Sequence, residues 1–410
     1  IRDYRLRTKF KQRSTAPNEY NKFLEDVAKS LDISPSKYKL AVERYESVGT
    51  WLQNGDYPDF IGAINIYPQG SFRLGTVVRP IREQIEKDYD IDLVCEFVEN
   101  PGKTTAKEVK HRVGNRLTEN DTYKAMLDDE GRRCWTLIYA EQDDTGFHLD
   151  VLPSSGNSGA GFSPIEITHK HDDGYNWMSS NPRGYAVWFE EVNSTSYRIV
   201  ASAQKQLISN SFHDVYAKVD DVPDQLVRTS LQRVIQIMKR HRDMRFNGNG
   251  KHAPISMIIT TLAAHLYNNE SDVLTTLRNI VLKLEQHSNL LQQGYMTNRE
   301  LSMQGVIKRQ SDGTWYIGNP TNPEENFADK WHEDNHARAT AFFQWVSWLK
   351  EDFLSYERRD FKNIQSIMRL CLGASIANRC WAKNITIPAA KPEPREVNIG
   401  RGVQPWRNCD

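Results

Sequence analysis

The octet KDYDIDLV, residues 87–94, sets Asp88, Asp90 and Asp92 at alternate positions with Tyr89, Ile91 and Leu93 between them. Successive side chains of a strand take opposite faces, so Asp90 and Asp92 share one face while Ile91 and Leu93 point into a core. A rise of ~3.3 Å per residue puts their Cα atoms about 6.5 to 7 Å apart. Two carboxylates at that spacing reach round a pair of metal ions about 3.5 to 4 Å apart. Without a cation they repel and one pKa rises; a divalent ion removes that conflict. The solvent face of an antiparallel sheet shows the same alternation, so the octet needs company before it carries chemistry. In PQGSFRLGT, residues 68–76, Gly70 and Gly75 let backbone amides approach a ligand and Ser71 supplies a hydroxyl, as a phosphate-holding turn requires. In FHLDVLP, Asp150 stands between Leu149 and Val151 on a further strand, where a plain core strand would carry no acid.

A Gly-Ser turn, an apolar-flanked D-x-D and a lone Asp on a later strand resemble the nucleotidyltransferase superfamily of DNA polymerase beta. The ordered set QGSFRLGT, DYDIDLV, HLDVLP, NPRGYAVWF and LQRVIQIMKRHRD resembles more closely the bacterial CD-NTases, over roughly residues 35–270. These are the cyclic-oligonucleotide synthases of antiphage (CBASS) signalling, related to the animal cyclic GMP-AMP synthase. The resemblance implies an α+β fold: a polymerase beta-like nucleotidyltransferase core with a small mixed sheet, a helical C-terminal domain, and the active site in the cleft between them. It assigns Gln69, Gly70 and Ser71 to the turn that binds the donor triphosphate. Asp90 and Asp92 match the two metal-binding carboxylates, and Asp150 matches the third, which in the family also approaches the attacking hydroxyl. One departure is the interval of 18 residues between Ser71 and Asp90, which includes REQIEKD and is long beside the compact superfamily motif. It leaves open a register using Asp88 and Asp90. Apolar neighbours on both sides favour Asp90 and Asp92.

Three Asp with a nucleoside triphosphate make an all-oxygen set suited to two Mg²⁺ (or Mn²⁺) ions. One ion would lower the pKa of a ribose hydroxyl and aim it at the α-phosphorus; the other would stabilise the pyrophosphate leaving group. Lys239 lies beside the apolar stripe of its helix, where it can reach the cleft, and the family has a comparable lysine on the triphosphate. Ser256, just after Pro254 at a predicted helix N-terminus, fits a second phosphate contact. The animal relative carries an aromatic stacking residue after the comparable serine; Met257 stands there, so base stacking must come from elsewhere.

The resemblance thus implies template-independent synthesis of a cyclic di- or trinucleotide second messenger from ATP, GTP or other ribonucleoside triphosphates. It also implies an effector that binds the product and, in some systems, accessory regulatory proteins. Alternatives are another polymerase beta-like nucleotidyltransferase, making linear oligonucleotides or terminal additions, and a non-catalytic nucleotide-binding scaffold. A rival of another class is the H-E-x-x-H of WHEDNHA, with His332 and His336 one helical turn apart as zinc ligands and Glu333 as base. Its surroundings are polar and no third ligand follows by a recognisable pattern. A further H-x-H, His169 and His171 in HKHDDG, is read as a loop or a minor metal site rather than a catalytic one.

The elements that must hold these residues follow from periodicity. Two helices are predicted within residues 18–53, then short strands AINIY, GTVV, DIDLVCEF, CWTLIYA and HLDVLP, with a mostly helical segment at 103–127. After the Gly and Ser-rich loop 154–164 the pattern turns helical: NPRGYAVWFEEV with Asn181 as cap, the stripe Val227, Leu231, Val234, Ile235, Met238, and helices near 255–267, 272–291, 324–355 and 361–378. The expected division is 1–195, 196–385 and an extended or mobile tail 386–410. Lys plus Arg and Asp plus Glu both total 53, so no net field holds a long nucleic-acid duplex. ISMIITTLAAHL is too short to span a bilayer. Five cysteines without a C-x-x-C pair suit a reducing cytoplasm.

Overall fold

The computed structural model describes residues 16–82, 85–140, 146–156, 163–247, 250–291 and 305–385; the tail 386–410 lies outside them. At its centre is a mixed sheet in the order β1 (Ile64–Gln69), β4 (Tyr89–Val98), β6 (Phe147–Gly156), β7 (Ile165–His171), β8 (Gly174–Ser180), with β5 (Trp135–Tyr139) also paired to β6. Among the described residues of this sheet only β4 and β6 run parallel. Between β1 and β4 lie the four-residue helix α3 (Gly70–Arg73) and a small antiparallel pair, β2 (Ile81–Arg82) and β3 (Ile85–Glu86).

The period of two in β4 sorts its faces. Ile91, Leu93, Cys95 and Phe97 are fully buried in a core shared with α2 (Pro35–Gln53) and α4 (Ala106–Thr118). Both helices start where their sequences supply a cap: Ser34 accepts from the Lys37 amide, and Thr105 with Glu108 forms a capping box. Asp90 and Asp92 are left on the opposite face.

A second core is helical. It gathers α6 (Pro182–Ser211), α7 (Ser230–Arg245), α8 (Ser256–Leu266), α9 (Val273–Glu285), α10 (Ala337–Leu354), α11 (Phe361–Leu372) and α12 (Ala374–Asn384). The N-terminal α1 (Pro17–Ser30) belongs to it as well: Tyr20 stacks on Tyr356 at 4.2 Å and Phe23 meets Trp381 edge-on at 5.4 Å. The chain therefore enters through the helical half before building the sheet. The boundary expected near 195 falls inside α6, which starts on the Asn181 side chain and Pro182 and runs 30 residues without interruption.

Several expected elements differ. GTVV is not a strand: Gly75 is left-handed, and the Leu74, Thr76 and Val77 carbonyls accept from Gln232, Lys239 and Gln236 of α7 instead of a ladder partner. HKHDDG is the tip of the β7–β8 hairpin, whose buried Ile165 and Ile167 alternate with polar residues. The helix expected over 324–355 begins only at Ala337. Residues 308–326 form two short hairpins, β9 (Lys308–Arg309) with β10 (Trp315–Tyr316) and β11 (Gly318–Asn319) with β12 (Asn322–Asn326), tied together by the Asn326 amide bonded to Trp315 and Ile317. Gly373, at φ 95°, splits the segment 361–378 into two helices. Among the described residues no helix is long and apolar enough to cross a membrane.

Candidate active site

Strand register brings the acids together. Asp92 pairs with Gln69 across the antiparallel β1 and with Asp150 across the parallel β6, so the end of the Gly-Ser strand and two carboxylates lie side by side. Asp90 pairs with His148, one pleat away. Asp90, Asp92 and Asp150 line the wall of a cavity of about 330 Å³ together with Gly70, Ser71, Lys239 and Ser256. Gln69 ends β1 and leads into this wall without lining it. Asp88 is engaged elsewhere, accepting from the Gly146 amide at 2.9 Å and lying 3.5 Å from His148 Nε2.

The turn after β1 is shaped by Asp92. Gly70 is left-handed, and a Cβ there would stand 2.2 Å from Asp92 Oδ2, so only glycine lets the backbone pass the carboxylate. Burial, then the charges of Asp150 and Asp90, push Asp92 up to about 7, against the pull of Lys239. Asp150 is held by the Thr136 hydroxyl, which donates to Oδ1 at 2.5 Å from the neighbouring β5.

Lys239 is buried and donates to the Thr76 carbonyl at 3.1 Å and to Thr76 Oγ1 at 3.2 Å. Burial and then Arg242 bring it down to about 7, opposed by Asp243 and Asp92. Arg242 and Asp243 also line the cavity, with Met257 and Thr260. Sequence reasoning passed over Thr76, Thr136, Arg242 and Asp243. Arg242 had a usable signal, since it follows Lys239 by three residues on the same helix face. Thr136 had none, because its partner is fixed only by strand pairing.

The carboxylates offer oxygen ligands alone, which suits a hard divalent cation, and burial with three carboxylates close together is an arrangement that a cation relieves. A different group of possible ligands, His241, Asp352 and Cys371, lies buried in the helical core. There the His241 nitrogens are already used: Nδ1 accepts from Trp345 at 3.0 Å and Nε2 meets Asp352 at 2.8 Å, while Arg245 binds the same carboxylate through two nitrogens. That is a hydrogen-bond network joining α7 to α10. The H-E-x-x-H segment does not form the helical turn a zinc protease needs. His332 and Glu333 are exposed in turns, and His336 is left-handed at the start of α10 with Nδ1 accepting from Trp315 at 3.0 Å.

A model of the SMODS domain (Second Messenger Oligonucleotide or Dinucleotide Synthetase) matches residues 16–193. A c-di-GMP synthase of Roseivirga ehrenbergii is 31% identical over 395 residues, covering 95% of this chain and 91% of the relative. The cyclic dinucleotide synthase CdnG of Bradyrhizobium diazoefficiens is 24% identical over 324 residues, 77% of this chain and 71% of that protein. Among solved structures, the CD-NTase CdnG of the same bacterium in complex with GTP superposes with a TM-score of 0.65 at 20% identity, covering 89% of this chain and 98% of that one. Escherichia coli MS115-1 CdnC with ATP gives 0.57 at 13% identity, covering 87% and 98%. The chain belongs to the CD-NTases, nucleotidyltransferases of the polymerase beta-like fold.

Proposed function

We propose that the chain joins two molecules of GTP into cyclic di-GMP without a template, in a cytoplasmic antiphage signalling system. The observation that carries the transfer chemistry is the single cavity bounded by Asp90, Asp92, Asp150, the Gly70–Ser71 turn and Lys239. The choice of guanine and of a two-membered ring rests on the Roseivirga ehrenbergii relative, whose likeness runs through 95% of the chain.

In this mechanism the Gly70–Ser71 amides and hydroxyl, Lys239 and Ser256 hold the donor triphosphate. Asp150 has Oδ1 occupied by Thr136, which leaves Oδ2 to accept the hydrogen of the attacking ribose hydroxyl. Two divalent cations, held when bound by Asp90, Asp92 and Asp150, supply Lewis acidity for hydroxyl ionisation and for the departing pyrophosphate. Positioning and charge stabilisation provide most of the rate. Ring closure needs a second transfer, with the linear intermediate turned so that its free hydroxyl occupies the acceptor place. An effector that reads the product, and accessory proteins acting on the synthase, complete the system proposed here.

The test is incubation of the purified chain with the four ribonucleoside triphosphates and Mg²⁺ or Mn²⁺, followed by mass spectrometry of phosphatase-resistant products. Cyclic di-GMP from wild type and nothing from Asp90→Asn with Asp92→Asn is the expected outcome. A linear product, or product that survives the double substitution, defeats the proposal.

A further inference from the structure

Lys239 and Arg242 stand one turn apart on α7, and both line the cavity. The Arg242 guanidinium is clamped from two sides. Nε donates to Asp243 Oδ1 at 2.8 Å and Nη2 lies 2.7 Å from the same oxygen, while Nη1 donates to the Pro254 carbonyl and to Ser256 Oγ, both at 3.0 Å. A guanidinium has five N–H donors. These contacts use four and leave one on Nη2. Because Ser256 Oγ accepts from Arg242, its own hydrogen remains to donate to another group. Asp243 is buried at 7% exposure, and its Oδ2 has no hydrogen-bond partner among the described residues. That carboxylate lines the same cavity beside the guanidinium that it holds.

The lining therefore divides by element, a charge gradient from the strands, with Asp90, Asp92 and Asp150, to the helices, with Lys239, Arg242 and the Ser256 hydroxyl and with Asp243 beside Arg242. A chain of phosphates spans such a gradient, with its most anionic end toward the cations. Arg242 is the fixed member of the pair, since its planar fork is held by three separate groups.

We propose that Arg242 is a further contact for the donor's triphosphate and the residue that orients the Ser256 hydroxyl, with Asp243 as the anchor of its guanidinium. This rests on the nucleotidyltransferase function proposed above. Asp243 acts only through Arg242 and is a positioning residue.

The experiment compares binding of a non-hydrolysable GTP analogue, GMP and inorganic tripolyphosphate to wild type, Arg242→Ala, Arg242→Lys and Asp243→Asn, with GTP and ATP kinetics alongside. Arg242→Ala should reduce the preference for triphosphate over monophosphate by about tenfold, the loss of one charge-assisted contact, and weaken tripolyphosphate to match. Arg242→Lys should recover part of the phosphate affinity. Asp243→Asn should raise KM for GTP with kcat little changed. In an Arg242→Ala background, Ser256→Ala should add little. Two results overturn the inference: an unchanged phosphate preference in Arg242→Ala, or a changed choice between GTP and ATP, which would mark a base contact. If Arg242→Ala unfolds, the same criteria apply to Arg242→Lys and Asp243→Asn. A wild-type chain that makes no cyclic product defeats the function itself, whereas active wild type with unaltered Arg242 variants defeats only this assignment.

Discussion

Position 70 bars a side chain twice, through its left-handed backbone and through an approach of 2.2 Å between any Cβ and the Asp92 carboxylate. Strain of about 1 to 2 kcal/mol for the backbone alone adds to that collision, and the simplest relief is a shift of Asp92. Gly70→Ala should therefore lower kcat/KM by at least about tenfold while the far-ultraviolet circular dichroism stays native; full activity would mean that Asp92 has no fixed role. At Thr136 the contact is a single hydrogen bond to Asp150. Thr136→Val keeps the shape and removes the donor, so a loss of about 1 kcal/mol, several-fold in kcat with KM little changed, is the expected result in steady-state kinetics. The acids were visible in the sequence because carboxylates on an apolar strand are out of place. Thr76 and Thr136 were not, since an ordinary threonine gains its part only from a lysine or a carboxylate delivered by another element.

Among the elements, α7 links the site to the helical core. One of its faces satisfies the carbonyls of residues 74, 76 and 77, which replaces the strand that GTVV would otherwise form. Another carries His241 and Arg245 onto Asp352 of α10. Removing one partner of a buried charged pair leaves the other uncompensated, at a cost of about 3 to 5 kcal/mol. Asp352→Ala should thus lower the melting temperature by about 4 to 6 degrees in a thermal melt; an unchanged melting temperature would show that the network carries little. Helix starts at Ser34, Thr105, Asn181 and Thr229 were open to sequence reasoning because caps are local. The β7–β8 hairpin was not, since its polar outer face hides a period of two that only Ile165 and Ile167 declare.

For the whole molecule, buried charge sets the response to pH. Burial and neighbouring carboxylates raise Asp92 to about 7, above an unfolded value near ~4, so the folded protein binds that proton more tightly. In metal-free protein this contribution is full below about pH 4 and is lost as pH rises through 7. A divalent cation competes with the proton. Added Mg²⁺ should therefore raise the melting temperature more at pH 8 than at pH 5, and equal shifts would count against Asp92 as a ligand. With 53 basic and 53 acidic residues there is no net attraction for a polyanionic duplex, so long duplex DNA should leave product formation unchanged in the same assay.

The sequence by itself determined the residue types and the order of the motifs: glycines where backbone amides can approach a ligand, acids on an apolar strand, a lysine beside a helical stripe. Those are local properties, legible from neighbours two to four positions away. Only the tertiary structure decided that Asp92 meets Asp150 rather than solvent, that α1 joins the helical core across more than 300 residues, and that Arg242 is clamped beside Ser256. Each of these depends on strand register or helix packing between distant segments, which no local pattern specifies.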